Sequence, residues 1–224
     1  MEIRQFFDAE SSAYTYLLRD ENSKLALIID PVETQVEWYV QELQGYTLQL
    51  ILDTHIHADH ITAAWLLKQR TGGKYGLSVP GPTVDMVLQD GLILNVGTIT
   101  IKVLATPGHT AESVCFLVGN TLFTGDTLLI GKCGRTDFQG GSAGALYDSV
   151  MNKLFTLPDY MLIYPGHDYE QRTSSTLGQE KQTNARLAGK TKEEFIQIMK
   201  NLNLPRPKMM DIAVPANRQG GRKS

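Results

Sequence analysis

Residues 54–64 read THIHADHITAA. Three histidines, His55, His57 and His60, and one aspartate, Asp59, fall within a hexapeptide, in a chain that has 5 histidines in all. The stretch that leads into it, LQLILDT at 48–54, reads as a buried strand. Imidazole binds borderline transition metals, and carboxylate adds charge neutralisation. Alternate residues leaving a strand point the same way. His55 and His57 are therefore placed to share a metal, while the turn after them carries Asp59 and His60 to the same side or toward a neighbouring metal. A lone histidine is usually a hydrogen-bonded structural residue; three of them with an aspartate form a metal-binding pattern.

The other two histidines repeat the arrangement. His109 lies in ATPGHTAES and His167 in IYPGHDYE, each behind a β-rich run and each preceded by Pro-Gly. Asp126 ends a third such run, LFTGD. Alone it would read as an ordinary turn aspartate; in this series it is a candidate ligand. All of these side chains fall just beyond the C-terminal ends of expected strands, where loops converge on a rigid rim.

The rest of the chain fits that frame. EIRQFF, AYTYLLR and KLALIID are the first expected strands, followed by helical spacing over Val32, Val36, Tyr39, Val40 and Leu43. ITAAWLLKQRTGG reads as a helix closed by glycine. GLILNVG, ITIKVLATP, SVCFLVG and TLFTGD form a second β-rich block, Leu146, Val150 and Leu154 mark another helix, and YMLIYPGHD another strand. Near the C-terminus TKEEFIQIMKNL carries a capping box, Thr191 with Glu194. We expect one α/β domain over 1–224, with a short helical tail from about 170.

Composition narrows the function. Of the 224 residues 42% are hydrophobic and 20% charged, with a formal charge of −3, so a nucleic-acid-binding face is not expected. Two cysteines, Cys115 and Cys133, are too few for a disulfide framework and suit a reducing compartment. The acidic N-terminus and the lack of a long apolar run point to a cytoplasmic protein that does not engage a membrane.

The order T-H-x-H-x-D-H, P-G-H-T, T-G-D, P-G-H resembles the metallo-β-lactamase superfamily over most of the chain. That resemblance implies an αββα sandwich. HADHITAAW, GKCGRTDFQGG, FTLPDYMLIYPGHDY, NLNLPRP and AVPAN are similar to the persulfide dioxygenase branch. It implies one Fe(II) per chain on the residues matching His55, His109 and Asp126, a two-histidine, one-carboxylate triad. His57, Asp59, His60 and His167 would then surround the site, or hold a second metal. The implied reaction turns glutathione persulfide, O2 and water into glutathione and sulfite, with a sulfurtransferase as a separate partner and a homodimer as an open assembly. All seven ligand positions are also what a hydroxyacylglutathione hydrolase with two zinc ions needs. Against that alternative stand CGRTDF and a chain continuing only 57 residues beyond His167. A non-catalytic metal-binding scaffold would be expected to have lost ligands, and none is missing. Arg135 is the candidate for a two-pronged contact with a glutathione carboxylate, with an ion pair to Asp137 as the competing account. Tyr169 is a second candidate substrate contact. Cys133 is read as a packing residue rather than a sulfur relay, and Cys115 as core.

Overall fold

A computed structural model describes residues 1–222, with two mixed six-stranded sheets and six α-helices among the described residues. The first sheet runs β1 (Glu2–Asp8), β2 (Ala13–Asp20), β3 (Leu25–Ile29), β4 (Thr47–Leu52), β5 (Lys74–Leu77) and β6 (Met86–Val87), in that order. β1 to β3 form an antiparallel meander; β3 to β6 are parallel neighbours. Helices α1 (Val36–Glu42) and α2 (Ala64–Thr71) make the crossovers after β3 and β4. The second sheet is ordered β12-β11-β10-β9-β8-β7, from β7 (Ile93–Val96), β8 (Ile99–Ala105), β9 (Val114–Val118), β10 (Thr121–Gly125), β11 (Leu162–Pro165) and β12 (Ser175–Thr176). Its helices are α3 (Ala143–Ser149), α4 (Leu177–Thr183) and α5 (Lys192–Lys200), and α6 (Met210–Asn217) follows. This is the α/β architecture the sequence pattern implied.

The chain forms two compact units. One comprises residues 1–88, 93–101 and the C-terminal segment from Arg206; the other comprises 89–92 and 102–205. The first has a core in which Leu17, Ile28, Tyr39, Ile51, Leu67 and Tyr75 pack together. The second is built around Leu122, Leu146, Val150, Ile163, Leu177 and Phe195. β4 shows why a buried strand was legible here: Leu50, Ile51 and Leu52 are all buried, as expected of a strand covered on both faces.

Local signals mostly produced the expected elements. Gly72 caps α2 at φ 75°, and the capping box at Thr191 and Glu194 is formed at the start of α5. Leu146 lies on α3, which passes into a π-turn carrying Val150 and Leu154. Other elements had no clear signal. β5 is four residues long and contains glycine, β12 has two residues, and α6 contains Pro215, which cannot donate a helical hydrogen bond. Among the described residues no helix is long and apolar enough to cross a membrane.

Candidate metal centre

In the first unit, β3 and β4 are parallel neighbours, so the residues after them leave the sheet at one edge. Asp30 follows β3, and Asp53 and the histidine loop follow β4. Asp30 is 2% exposed and accepts from the Thr54 amide at 2.7 Å, the Thr54 hydroxyl at 2.8 Å and His57 Nε2 at 3.1 Å. The single hydroxyl proton of Thr54 goes to Asp30 Oδ2. Its oxygen is then left to accept from His55 Nδ1–H, 2.9 Å away. That fixes the tautomer of His55 and puts the lone pair on Nε2, the state a metal ligand needs.

His57 is set the opposite way. Its Nε2 is committed to Asp30, while its buried Nδ1 has no hydrogen-bond partner among the described residues. A buried polar atom left so costs about 1–3 kcal/mol. Burial alone would drive the His57 pKa down, but the charge and hydrogen bond of Asp30, helped by Asp53 and Asp59, raise it to about 9. The proton on Nδ1 therefore has no acceptor, and a metal ion is the natural replacement for it. His57, Asp59 and His60 each offer one ligand atom within 4.8 Å of the others. His60 Nδ1 lies 2.8 Å from Asp59 Oδ2. Beneath them Asp53 accepts from Tyr75 Oη at 2.8 Å and Thr62 Oγ1 at 3.1 Å, and burial pushes its carboxyl pKa up. A cleft of about 90 Å³ opens against Asp59 and His60, with Asp8, Glu10, Glu33 and Met209 also lining it.

In the second unit the ligand candidates come from three strand ends. β10 and β11 run parallel, and the Gly166 amide donates to Gly125 O at 2.8 Å. Asp126 and His167 thus emerge side by side, and His167 Nδ1 donates to Asp126 Oδ1 at 2.7 Å. His109 follows β8 and donates Nδ1–H to the carbonyl of Arg135 at 2.7 Å, which leaves the lone pair on Nε2. That Nε2 sits 3.6 Å from Asp126 Oδ2. The separation is too long for a hydrogen bond and suits two groups that share an ion. Gly134 makes the approach possible: a Cβ there would fall 2.4 Å from Asp126 O and 2.8 Å from His109 Nδ1.

Arg135 contributes more than its carbonyl. Its Nε and Nη2 donate to the two carboxylate oxygens of Asp137, both at 2.7 Å. Nη1 donates to Pro205 O at 2.6 Å and Nη2 to Leu204 O at 3.3 Å. The ion pair with Asp137 is therefore formed, and one Nη1 proton is left for any other acceptor. Tyr169 is 62% exposed, and its ring lies nearly parallel to that of His167, at 6.2 Å between centroids and 10°. Lys132 Nζ stands 4.8 Å over the Tyr169 ring. Both cysteines are buried thiols; burial pushes the Cys133 thiol up to about 11, so it holds its proton and does not present a thiolate at neutral pH.

Several residues that organise these groups were not singled out by the sequence. Asp30 carried a visible mark, the Asp-Pro step at the end of its strand, but that step reads equally as a turn. Asp53 and Gly134 stood inside quoted motifs without an assigned role. So did Asn217, the last residue of AVPAN.

The chain belongs to the metallo-beta-lactamase superfamily, whose family model matches residues 9–78 and 72–167. It is 44% identical over 225 residues to the mitochondrial persulfide dioxygenase ETHE1 of Mus musculus, covering 98% of this chain and 88% of that one. The crystal structure of ETHE1 from Myxococcus xanthus superposes with a TM-score of 0.97 at 52% identity, covering 99% of this chain and 100% of that one. Within the superfamily its place is the persulfide dioxygenase branch. A hydroxyacylglutathione hydrolase from Brucella anthropi is 35% identical over 181 residues, covering 76% of this chain and 66% of that protein. The fold and the His/Asp groups together support a metal-binding site.

Proposed function

We propose that this chain is a persulfide dioxygenase that oxidises glutathione persulfide at a single Fe(II). The observation that carries this reading is likeness to persulfide dioxygenases along nearly the whole chain, at 44% identity. The donor set fits the ion. His55, His109 and Asp126 make up a two-histidine, one-carboxylate set of the kind that holds non-haem Fe(II) and leaves open positions. Both histidines have Nδ1 occupied as a donor and the lone pair on Nε2. Iron held there supplies a site at which persulfide sulfur and O2 are brought together, removing much of the entropic barrier to their meeting.

The overall change is glutathione persulfide plus O2 plus water to glutathione plus sulfite plus two protons. The terminal sulfur is oxidised, O2 is reduced, and the S–S bond is broken. The chain's own groups orient and neutralise. Thr54 and Asp30 fix His55, the Arg135 carbonyl fixes His109, and His167 holds one oxygen of Asp126. Tyr169 and the remaining Nη1 proton of Arg135 are the proposed contacts for glutathione at the rim.

A second reading is supported by the unpartnered Nδ1 of His57 within the His57, Asp59 and His60 group. It is a thioester hydrolase with two metal ions and a bridging hydroxide. One experiment separates the two. The purified, iron-loaded chain is given glutathione persulfide in an oxygen electrode cell, and sulfite is measured against O2 consumed. Equal amounts of sulfite formed and O2 used are expected. No uptake, together with two bound zinc ions and rapid hydrolysis of a glutathione thioester, would replace the dioxygenase with the hydrolase.

A further inference from the structure

The histidine loop has backbone that neither helix nor strand satisfies, and its partner comes from the other end of the sequence. Asn217, the last residue of α6, is 1% exposed. Its Nδ2 donates to His57 O at 2.9 Å and to His60 O at 2.8 Å, and its Oδ1 accepts from the Thr62 amide at 2.9 Å. Two carbonyls and one amide are thus satisfied by one side chain. Only a primary amide does this: a carboxylate would set an acceptor against two acceptors, and an aliphatic residue would leave all three groups unpaired.

The segment after Asn217 closes over the same loop. The Trp65 amide donates to Gly220 O at 2.7 Å. Gly221, at φ 82°, passes so close that a Cβ would lie 1.9 Å from Thr62 O. Asn217 touches no ligand atom of the loop; its contacts are all to backbone. Its effect on His57 and His60 must therefore act through the positions of their Cα atoms.

We infer that Asn217 is a positioning residue of the metal-binding loop, setting the directions of the His57 and His60 side chains by clamping the backbone between them. The inference rests on the reading that this loop binds metal, and not on which reaction the metal serves. Outer contacts of a metal site, when removed, typically cost about 10–100-fold in affinity or rate. Asn217→Ala should fall in that range for metal affinity, measured by chelator competition on folded protein with zinc and with iron. Its kcat should drop, while KM for the persulfide stays within about twofold of wild type. Ile212→Ala, on the exposed side of the same helix, should match wild type in every measurement.

By linkage, metal binding to the wild-type chain must also slow hydrogen exchange at the Thr62 amide. That measurement needs no variant and stands even if Asn217→Ala does not fold. A folded Asn217→Ala chain with a lower melting temperature but wild-type metal affinity would overturn the inference, leaving Asn217 a fold residue. Thr62 exchange that is identical with and without metal would overturn it as well. A wild-type chain that binds metal tightly yet consumes no O2 would instead sink the dioxygenase reading and leave the clamp standing.

Discussion

The two units supply metal-binding groups in opposite ways. In the first, four candidates lie within six consecutive residues, His55 to His60, and are held by groups outside the cluster: Asp30 and Asn217, far away in sequence, and Asp53, just ahead of it but itself tied to Tyr75. In the second, His109, Asp126 and His167 are far apart in sequence, and they largely hold one another, with the Arg135 carbonyl as the outside support. A contiguous cluster needs a scaffold to give its loop a shape. A dispersed set receives its shape from strand register and needs little more. The first kind of site should therefore be sensitive to residues outside it, and the second to its own members.

The largest expected effect tests the second unit. Asp126→Ala removes the carboxylate on which His167 and His109 both converge. Iron content should drop from about one per chain to near zero with activity lost, as for loss of a direct ligand. Retention of full iron would show that the set does not depend on its own members.

Next comes the first unit. Asp30→Asn keeps the shape but loses the charge facing Thr54 and His57, and His57→Ala removes the unpartnered Nδ1. Each should reduce metal affinity or rate by about 10–100-fold without abolishing metal binding, the usual range for outer groups. Complete loss of metal in either variant would make His57 a direct ligand and favour a dinuclear site.

Arg135→Ala gives a smaller effect and separates two roles. Loss of the contacts to Asp137, Leu204 and Pro205 should lower the melting temperature with iron content unchanged. If the last Nη1 proton also contacts glutathione, KM for the persulfide rises several-fold in addition. Unchanged KM would remove Arg135 from the substrate contacts.

The smallest effect belongs to a carboxylate outside both ligand sets. Asp20 accepts from the Thr98 amide, the Ser23 hydroxyl and the Asn22 amide, and the Thr98 bond leads in holding its pKa down to about 2 from 3.8. A carboxyl depressed on folding stabilises the fold above its unfolded pKa and loses that contribution as pH falls through the folded one. Asp20→Asn should therefore lower the stability of the metal-free protein at neutral pH, where that contribution is fully present, and flatten the stability profile between about pH 4 and pH 2. An unaltered acid limb would mean that other carboxylates govern this range.

What could be read from sequence was whatever is encoded over a few residues. Helical spacing found α1, the closing glycine marked α2, and the capping box found the start of α5. The strands leading into Asp126 and His167 were visible because each is a short apolar run ending in a turn signal. α6 was not, since Pro215 within it reads as a helix breaker. The two accounts of Arg135 could not be separated from sequence. The carbonyls of Leu204 and Pro205 that occupy it lie about seventy residues away, and spacing along the chain carries no information on that meeting.

The sequence by itself determined the chemistry of this protein. Its histidines and aspartates stand at strand ends in an order that identifies the superfamily, and CGRTDF with the tail motifs points to the branch, because residue type and local spacing are properties of the chain. The tertiary structure decided which nitrogen of each histidine is available. Thr54 with Asp30 turns Nε2 of His55 outward, Asp30 leaves His57 with Nδ1, and the Arg135 carbonyl leaves His109 with Nε2. A proton goes to whichever ring nitrogen faces an acceptor, and those acceptors are brought into place only when distant segments pack together.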